Sequence, residues 1–415
     1  MKPADASLAV LYGHNHDTLQ AQRVRYECLS ARFFECFPEH SDHRFFSAPG
    51  RAEIGGNHTD HQSGRVLAAS VNLDTVAAVA PNGTSVVRVH SEGFAPCEVD
   101  LADLSVLPGE VGTTASLIRG CAARMAALGH DIGGFDAAIT SNVLGGSGLS
   151  SSAAFEVLVC AILDGLFGHG DMSPVLRAQI SQYAENEYFG KPSGLMDQMA
   201  SSVGGIVAID FRETEPEITA IQYDFLAHGY RLAVVNTGGS HDDLTDAYAS
   251  IRAEMEQVAA CFGQDRLRYV DPVAFENDIP ALRSKVSDRA VLRALHFFDE
   301  NARVPEMVAA LDNNELDAFF SLIIASGESS WKLLQNVWAN PAEQPLALAL
   351  ELSRRMLAGQ GAWRIHGGGF AGTILAFVPT AVYDDYAARM DAVFGRGACC
   401  PLDIRAVGAY ELALV

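Results

Sequence analysis

A run of glycines followed by serines is the part of the sequence best suited to bind phosphate. Residues 144–154 read LGGSGLSSSAA, after an expected strand and at the start of an expected helix. Glycine lets the backbone turn its N–H groups toward an anion, and a helix start adds unpaired donors and partial positive charge. The segment lacks the Lys-Ser/Thr pair of a P-loop and is not a Rossmann fingerprint. It predicts a different phosphate loop, with a flexible turn capped by serine as the alternative.

Two carboxylates lie in a second segment, residues 184–198, which reads AENEYFGKPSGLMDQ. Glu185 falls late in an expected helix, and Asp197 follows a Gly/Pro/Ser turn. Phosphoryl transfer to a hydroxyl needs a carboxylate within reach of that hydroxyl and another group to hold the metal. Asp197 and Glu185 can fill these roles, and the competing interpretation is a helix cap and a solvated side chain.

A third segment, residues 47–62, reads SAPGRAEIGGNHTDHQ and places a basic residue, carboxylates and imidazoles among glycines. Arg51 can neutralise charge that develops on a phosphoryl group, and His58 and Asp60 can hydrogen-bond a polyol. Taken alone, such a segment is equally typical of a metal site or an ordinary turn. A further glycine turn, residues 364–373, lies between two expected strands.

Helices and strands alternate along the whole chain and must hold these segments in place. The polar stretch 212–217 is the best candidate for a boundary. Mixed elements on both sides predict an α+β protein of two domains, residues 1–211 and 212–415. Helices are predicted near 20–37, 113–128, 151 onward, 175–188, 242–262, 288–338, 346–357 and 381–394, and strands near 45–48, 75–80, 86–90, 135–140, 205–210, 231–236, 363–366, 373–378 and 403–407.

The composition excludes several classes of partner. The chain has 29 basic and 51 acidic residues, a net charge of −22, which argues against nucleic acid and anionic membranes because both need a basic surface. A local positive site for a nucleotide remains compatible with this charge. The eight cysteines show no zinc-ligand spacing, and no run of residues has the pattern of a signal peptide or the length of a membrane span. These features predict a cytoplasmic protein.

Together and in this order, the four segments resemble the GHMP small-molecule kinase superfamily and, within it, the galactokinases. Residues 47–62 are similar to the signature APGRxNLIGEHTDY, and residues 144–154 to the ATP-binding motif PxGxGLSSSA. Residues 194–198 are similar to the family's GIMDQ, with its Glu twelve residues before the Asp, as Glu185 is here. Residues 367–372 are similar to the motif GGGFGG, so the resemblance covers nearly the whole chain.

The resemblance implies an N-terminal domain like ribosomal protein S5, a C-terminal ferredoxin-like domain and an active site in the cleft between them. It implies Asp197 as the catalytic base and Arg51 as the group that keeps Asp197 ionised and stabilises transferred charge. Glu185 with Ser151 or Ser152 would coordinate Mg²⁺. The implied sugar contacts are Asn57, His58, Asp60, Gly194 and Tyr248. The implied ATP contacts are Gly145, Gly146, Ser147, Gly148, Leu149, Ser150, Ser151 and Ser152.

The departures from the family pattern cluster in the sugar signature. Asn57 stands where the signature has Glu, Glu53 where it has Asn, Gly55 where it has Ile and His61 where it has Tyr. In galactokinases the signature Glu accepts a hydrogen bond from the 6-hydroxyl of the hexose. Asn57 can preserve a bond to that hydroxyl, or it can tolerate a uronate carboxylate that a Glu would repel.

The expected function is therefore ATP-dependent phosphorylation of the anomeric hydroxyl of D-galactose. One alternative is a kinase for galacturonate or another C6-modified hexose. A second alternative is a non-catalytic sugar sensor, against which the retention of Asp197, Arg51 and Glu185 argues. A monomer is expected.

Overall fold

The computed structural model describes residues 2–143, 148–238, 245–338, 340–370 and 372–415, with Thr245 described by its backbone alone. The helices are α1 Asp5–Tyr12, α2 His16–Cys36, α3 Thr114–Ala127, α4 Ser151–Phe167, α5 Pro174–Tyr183, α6 Met196–Val203, α7 Thr245–Ala260, α8 Pro272–Leu282, α9 Asp288–Asp312, α10 Leu316–Ser329, α11 Pro345–Leu357 and α12 Tyr383–Phe394. The strands are β1 Arg44–Gly55, β2 Arg65–Pro81, β3 Val86–Ser91, β4 Cys97–Asp100, β5 Phe135–Ser141, β6 Ile206–Asp210, β7 Glu217–Ile221, β8 Tyr230–Asn236, β9 Ala362–His366, β10 Thr373–Pro379, β11 Cys399–Leu402 and β12 Tyr410–Leu412.

The first sheet has eight strands, with β12-β1-β2-β5-β3-β4 in order and β6 and β7 extending from the other end of β2. All described pairs in this sheet are antiparallel except β3 with β5. Strand β2 is buried along most of its length because apolar residues run through it without alternation, as expected of a central strand covered on both faces. The pairing of β1 with β2 shifts register between Pro49 and Arg51 and again between Glu53 and Gly55.

The second sheet is antiparallel and has the order β11-β8-β10-β9. Along the chain, β8 is followed by helices, then by β9 and β10, then by α12 and β11. The first and third of these strands, β8 and β10, lie at the centre of the sheet. This is the ferredoxin-like arrangement that the sequence predicted for the C-terminal half, with five helices (α7 to α11) inserted in the first crossover.

A shared apolar core joins the two sheets. Ile54 and Leu67 of the first sheet belong to the same buried cluster as Leu232 and Phe377 of the second. Because the side chains of such a core are closely packed, the two sheets are held at a fixed distance from each other. The groups that meet at their junction are therefore fixed from both sides.

The predicted boundary at residue 212 agrees only partly with the sheets. Strand β7, at Glu217–Ile221, pairs with β6 of the first sheet. Strand β12 returns at the end of the chain to pair with β1, so residues beyond 402 also pack on the first half. The division into 1–211 and 212–415 remains a prediction for independent folding units, whereas the sheets divide after β7 and again before β12.

Two further features concern the chain as a whole. Within the described ranges, no helix combines the length and the apolar character needed to cross a bilayer. All eight cysteines are free thiols, and Cys121, Cys160 and Cys399 are buried.

Candidate active site

Arg51 and Asp197 form the central ion pair of the site. Arg51 Nε lies 2.7 Å from Asp197 Oδ1 and its Nη2 lies 2.8 Å from Oδ2, so both carboxylate oxygens are engaged. Arg51 follows the first register shift of β1, where a bulge redirects a side chain away from the regular pleat. Asp197 lies in the first turn of α6, where the helix dipole favours a carboxylate. The arginine side chain is 7% exposed and the aspartate 28%, so the aspartate remains accessible.

The end of the glycine-serine loop contacts the same ion pair. Ser150 Oγ donates to Asp197 Oδ2 at 2.7 Å, and Arg51 Nη1 donates to the carbonyl of Gly148. Ser150 has a φ of 57° and its hydroxyl makes no capping bond to α4, because that hydroxyl is turned toward Asp197. The backbone N–H of Arg51 also donates to the carbonyl of Leu149 at 3.0 Å. The first half of the loop, with the predicted ATP contacts Gly145, Gly146 and Ser147, lies outside the described residues.

The surroundings of Asp197 keep it ionised. Burial raises its pKa, but the adjacent Arg51 charge, the hydrogen bonds from Arg51 and Ser150, and the charge of Lys191 outweigh burial and lower the pKa below its ordinary value. Three of the four acceptor positions of the carboxylate are filled by Arg51 and Ser150. Among the described residues, no donor fills the second position on Oδ1, which can take an acceptor hydroxyl.

Glu185 lies in a segment of π-helix, Ala184–Phe189, and π-helical turns occur often at functional sites. Its carboxylate is buried and is surrounded by donors. These are Ser152 Oγ at 3.1 Å, Lys191 Nζ at 2.9 Å, Ser193 Oγ at 2.6 Å and Gln198 Nε2 at 2.8 Å. Ser152 belongs both to the glycine-serine loop and to the first turn of α4, so Glu185 and the loop meet at the start of that helix.

The Glu185 and Ser152 side chains are suited to Mg²⁺. A carboxylate and a hydroxyl are the oxygen donors that this hard cation prefers, and Mg²⁺ usually binds through one or two such groups plus phosphate and water. Ser151 begins α4 and makes no hydrogen bond to Glu185 among the described residues. Of the two serines that the sequence left open, Ser152 is therefore the one that lies beside the carboxylate.

Asp60 and Gly194 meet next to Asp197. The Asp60 carboxylate packs against Gly194 so closely that a β-carbon at residue 194 would collide with it. The His61 backbone N–H donates to Asp60 Oδ1 at 2.8 Å. Burial and the nearby charge of Asp197 raise the pKa of Asp60 to about 6. Two carboxylates, one of which is bound by an arginine, thus line the same small space.

Asn57 is enclosed by protein groups. It is fully buried, and its Nδ2 donates to Glu53 Oε1 at 2.8 Å and to the carbonyl of Gly367 at 2.7 Å. Its Oδ1 accepts from Ser330 Oγ at 3.1 Å and from Asn336 Nδ2 at 2.9 Å. Both donor and both acceptor positions of the amide are bonded to protein groups in this structure, and the contact of Asn57 with the sugar stays a prediction.

His58 and Tyr248 also have protein partners. His58 Nε2 donates to the carbonyl of Gly368 at 3.0 Å, and its Nδ1 lies 3.4 Å from His61 Nε2. Burial lowers the pKa of His58 to about 4, so the ring is neutral at pH 7. The Tyr248 hydroxyl donates to the carbonyl of Gly369 at 2.7 Å. His58 thus holds the glycine turn between β9 and β10 against the signature segment, and Tyr248 holds the same turn against α7.

The chain is 32% identical over 356 residues to the galactokinase of Streptomyces coelicolor, an alignment that covers 84% of this chain and 88% of that protein. The chain belongs to the galactokinase family. A galactokinase of Mycobacterium bovis is 31% identical over 378 residues, which cover 86% of this chain and 99% of that protein. The family predicted from the four segments is confirmed.

Family models and solved structures agree with this assignment. The model described as GHMP kinases N terminal domain matches residues 116–205, and the galactokinase galactose-binding signature matches residues 31–81. The structure of Lactococcus lactis galactokinase complexed with galactose aligns with a TM-score of 0.82 at 23% identity, over 93% of this chain and 99% of that chain. A mevalonate kinase structure aligns with a TM-score of 0.61 over 87% of this chain and 98% of that chain. The predicted GHMP kinase fold is therefore confirmed.

Sequence reasoning missed several residues of this galactokinase site. Lys191, Ser193 and Gln198 all contact Glu185, and they lie in the same 184–198 segment that supplied Glu185 and Asp197. Their proximity in the chain to both carboxylates was a usable signal. Arg364 gave no such signal, because it reaches Glu53 from a strand 311 residues away at 2.7 Å.

The raised pKa of Asp60 predicts a pH effect on sugar use. As the pH falls through about 6, Asp60 takes up a proton and loses acceptor capacity, so kcat/KM for the sugar is expected to fall. In the Asp60→Asn variant, kcat/KM should no longer fall as the pH drops through about 6. At pH 7 the variant should have a kcat/KM about tenfold to a hundredfold below the wild type, the range expected for a hydrogen bond to a charged group. Initial-rate measurements from pH 5 to 8 test this.

The same shift has a consequence for stability. A carboxylate whose folded-state pKa is raised costs stability where it is ionised, and that cost disappears as the pH falls through the folded pKa toward the unfolded one. Asp60→Asn should therefore raise the melting temperature at pH 7 but not at pH 4. If kcat/KM of Asp60→Asn still falls below about pH 6 as it does in the wild type, a group other than Asp60 titrates there.

Proposed function

We propose that this galactokinase-family chain transfers the γ-phosphoryl group of ATP to the anomeric (C1) hydroxyl of D-galactose, giving galactose 1-phosphate and ADP. The observation that carries the proposal is the contact between the phosphate loop and the carboxylate: Ser150 Oγ lies 2.7 Å from Asp197. A phosphoryl donor held at the start of α4 would have its terminal phosphorus next to whatever Asp197 binds. The names of the relatives support the same reaction.

On the acceptor side, Asp197 binds and orients the reacting hydroxyl through the Oδ1 position that no described residue fills. Its lowered pKa makes it a weak base, which suffices because phosphoryl transfer passes through a loose transition state with little charge needed on the attacking oxygen. As the oxygen–phosphorus bond forms and the bond to ADP breaks, the hydroxyl proton passes to Asp197. Asp60 accepts a hydrogen bond from a second sugar hydroxyl.

On the donor side, the loop and helix α4 bind the triphosphate. Backbone N–H groups of the described residues 148–152 and the positive end of the α4 dipole would bind the phosphates. Arg51 stabilises negative charge that moves during transfer and holds Asp197 in place.

Glu185 and Ser152 would hold a Mg²⁺ ion, which neutralises phosphate charge when bound. The Ser152→Ala variant is expected to raise the Mg²⁺ concentration for half-maximal rate by about tenfold or more. The adjacent Ser151→Ala variant is the matched control and should shift it much less, because Ser151 is not bonded to Glu185. Rates measured over a series of Mg²⁺ concentrations at fixed ATP show which of the two variants needs more Mg²⁺. Equal, wild-type behaviour of both variants would remove the serines from the metal site.

The alternatives predict different results in one assay. The alternative of a C6-modified sugar depends on Asn57 facing the acceptor, and the hydrogen bonds of Asn57 to protein groups favour galactose over that alternative. ADP release should be measured with galactose, galacturonate, glucose, N-acetylgalactosamine and arabinose. Galactose is expected to give the highest kcat/KM. A preference for galacturonate by orders of magnitude contradicts the proposed acceptor, and sugar binding without ADP release with any sugar indicates a sensor.

We also propose that the protein works in the cytoplasm as a monomer. Its net charge of −22 gives a surface that repels other copies and anionic membranes. Size-exclusion chromatography with light scattering checks the oligomeric state.

A further inference from the structure

A second buried carboxylate lies behind the metal-site candidate. Glu156 is on α4, one helical turn after Ser152, and is 0% exposed. Its Oε2 accepts a hydrogen bond from Gln198 Nε2 at 3.0 Å. Its Oε1 is buried and has no hydrogen-bond partner in the described part of the chain. A carboxylate in this setting costs free energy, so its presence calls for a role that an apolar side chain would not fill.

Gln198 connects Glu156 to Glu185. The same Nε2 that donates to Glu156 also donates to Glu185 Oε2 at 2.8 Å, so the two N–H bonds of one amide reach two carboxylates. Gln198 is 0% exposed and immediately follows Asp197 on α6. The amide therefore links helix α4, the π-helical segment and the helix that carries the base.

We propose that Glu156 is a positioning residue for this reaction: it holds the Gln198 amide so that its second N–H fixes the orientation of Glu185. The inference rests on the proposed function, in which Glu185 and Ser152 hold the metal that accompanies ATP. Groups that orient a metal ligand from behind commonly change metal affinity by about 10- to 100-fold when removed.

The two partnerless atoms of the linkage support this role. Besides Glu156 Oε1, Gln198 Oε1 is buried without a hydrogen-bond partner among the described residues. A proton on Glu156 Oε1 provides the donor that Gln198 Oε1 lacks, and a carboxylic acid and an amide then pair through two hydrogen bonds. Burial and the nearby charge of Glu185 raise the pKa of Glu156 well above its ordinary value, which favours this neutral form.

The test compares Glu156→Leu and Glu156→Gln with the wild-type chain. Binding of Mn²⁺ in the presence of ADP is measured by electron paramagnetic resonance, together with kcat and the Mg²⁺ dependence of the rate. Glu156→Leu should weaken Mn²⁺ binding by about 10- to 100-fold. Glu156→Gln should bind Mn²⁺ as the wild type does, because an amide can accept from Gln198 Nε2 and donate to Gln198 Oε1. Glu187→Gln, an exposed carboxylate two residues from Glu185, is the matched control.

Each outcome bears on the proposal. Wild-type Mn²⁺ binding by a folded Glu156→Leu variant would overturn it, as would equal loss in the Gln and Leu variants. If Glu156→Leu does not fold, Glu156→Asp replaces it: the shortened side chain withdraws the carboxyl from Gln198, and unchanged Mn²⁺ affinity would again overturn the role. If the wild-type chain neither binds Mn²⁺ with ADP nor turns over sugar, the proposed function itself fails, whatever the Glu156 variants do.

Discussion

The Asp197→Asn variant is expected to phosphorylate galactose at least about a hundredfold more slowly in kcat than the wild-type chain, the lower end of what a positioned acid–base group supplies. An asparagine has one acceptor oxygen, whereas Arg51 and Ser150 together use three acceptor positions of Asp197. The amide would either face Arg51 with an N–H or give up the position that the sugar hydroxyl needs. It also cannot take up the proton that leaves the hydroxyl.

A matched control separates catalysis from the loss of an arginine partner. Asp210 is likewise paired with arginine, in its case two, Arg65 Nε at 2.7 Å and Arg268 Nη2 at 2.7 Å, and its side chain is 20% exposed, close to the 28% of Asp197. Asp210→Asn should leave kcat near the wild-type value. Single-turnover rates at saturating ATP and galactose, together with circular dichroism melts, distinguish slow chemistry from unfolding. A near-normal kcat in folded Asp197→Asn would remove Asp197 from the reaction.

The parts of the site that the sequence predicted are those whose chemistry is complete within a short segment. The loop at 144–154 shows its glycines, its serines and the following helix in eleven consecutive residues. Glu185 and Asp197 lie in one segment of fifteen residues, so the sequence alone indicated that they lie near each other. The ferredoxin-like order of the second sheet followed from the resemblance alone, whereas the mixture of helices and strands predicted only an α+β protein.

The surroundings of Asn57 could not be predicted, because they depend on residues distant in the chain. Asn57 is bonded to Ser330, Asn336 and Gly367, at least 273 residues further along. No local pattern reveals that a polar side chain will have all its hydrogen bonds filled from the other half of the molecule. For the same reason the boundary at 212 did not anticipate that the chain returns to the first sheet at β12.

Two of the departures from the family signature, Glu53 and Asn57, are related, and the structure shows how. The signature has Asn and Glu where this chain has Glu53 and Asn57, so the two side chains are exchanged. The hydrogen bond between them is present, from Asn57 Nδ2 to Glu53 Oε1 at 2.8 Å. Arg364 Nη2 binds the same oxygen at 2.7 Å, while its Nε and Nη1 are buried without partners in the described residues. Burial raises the pKa of Glu53 to about 7 although Arg364 opposes the shift.

Restoring the signature one residue at a time is expected to be strongly destabilising. Asn57→Glu places a second carboxylate against Glu53 and removes the donor to Gly367, and Glu53→Asn leaves the buried Arg364 without its partner. Each change should cost about 3 to 5 kcal/mol in the free energy of unfolding, as expected for an uncompensated buried charge. Two adjacent buried carboxylates retain a proton, so their folded-state pKa is raised and stability falls as the pH rises through it. The loss in Asn57→Glu should therefore be larger at pH 8 than at pH 5.

The double variant Glu53→Asn with Asn57→Glu is expected to lose less than the sum of the two single variants, by at least about 1 kcal/mol, because one carboxylate again faces one amide. The carboxylate introduced in place of the Asn57 amide can still accept from Ser330 and Asn336, while Gly367 loses its donor, so recovery should be incomplete. Urea denaturation of all four chains at both pH values gives the coupling free energy. Strictly additive losses would mean that the two exchanged positions do not act as a pair. A full return to wild-type stability would mean that Arg364 and Gly367 do not depend on which of the two residues carries the charge.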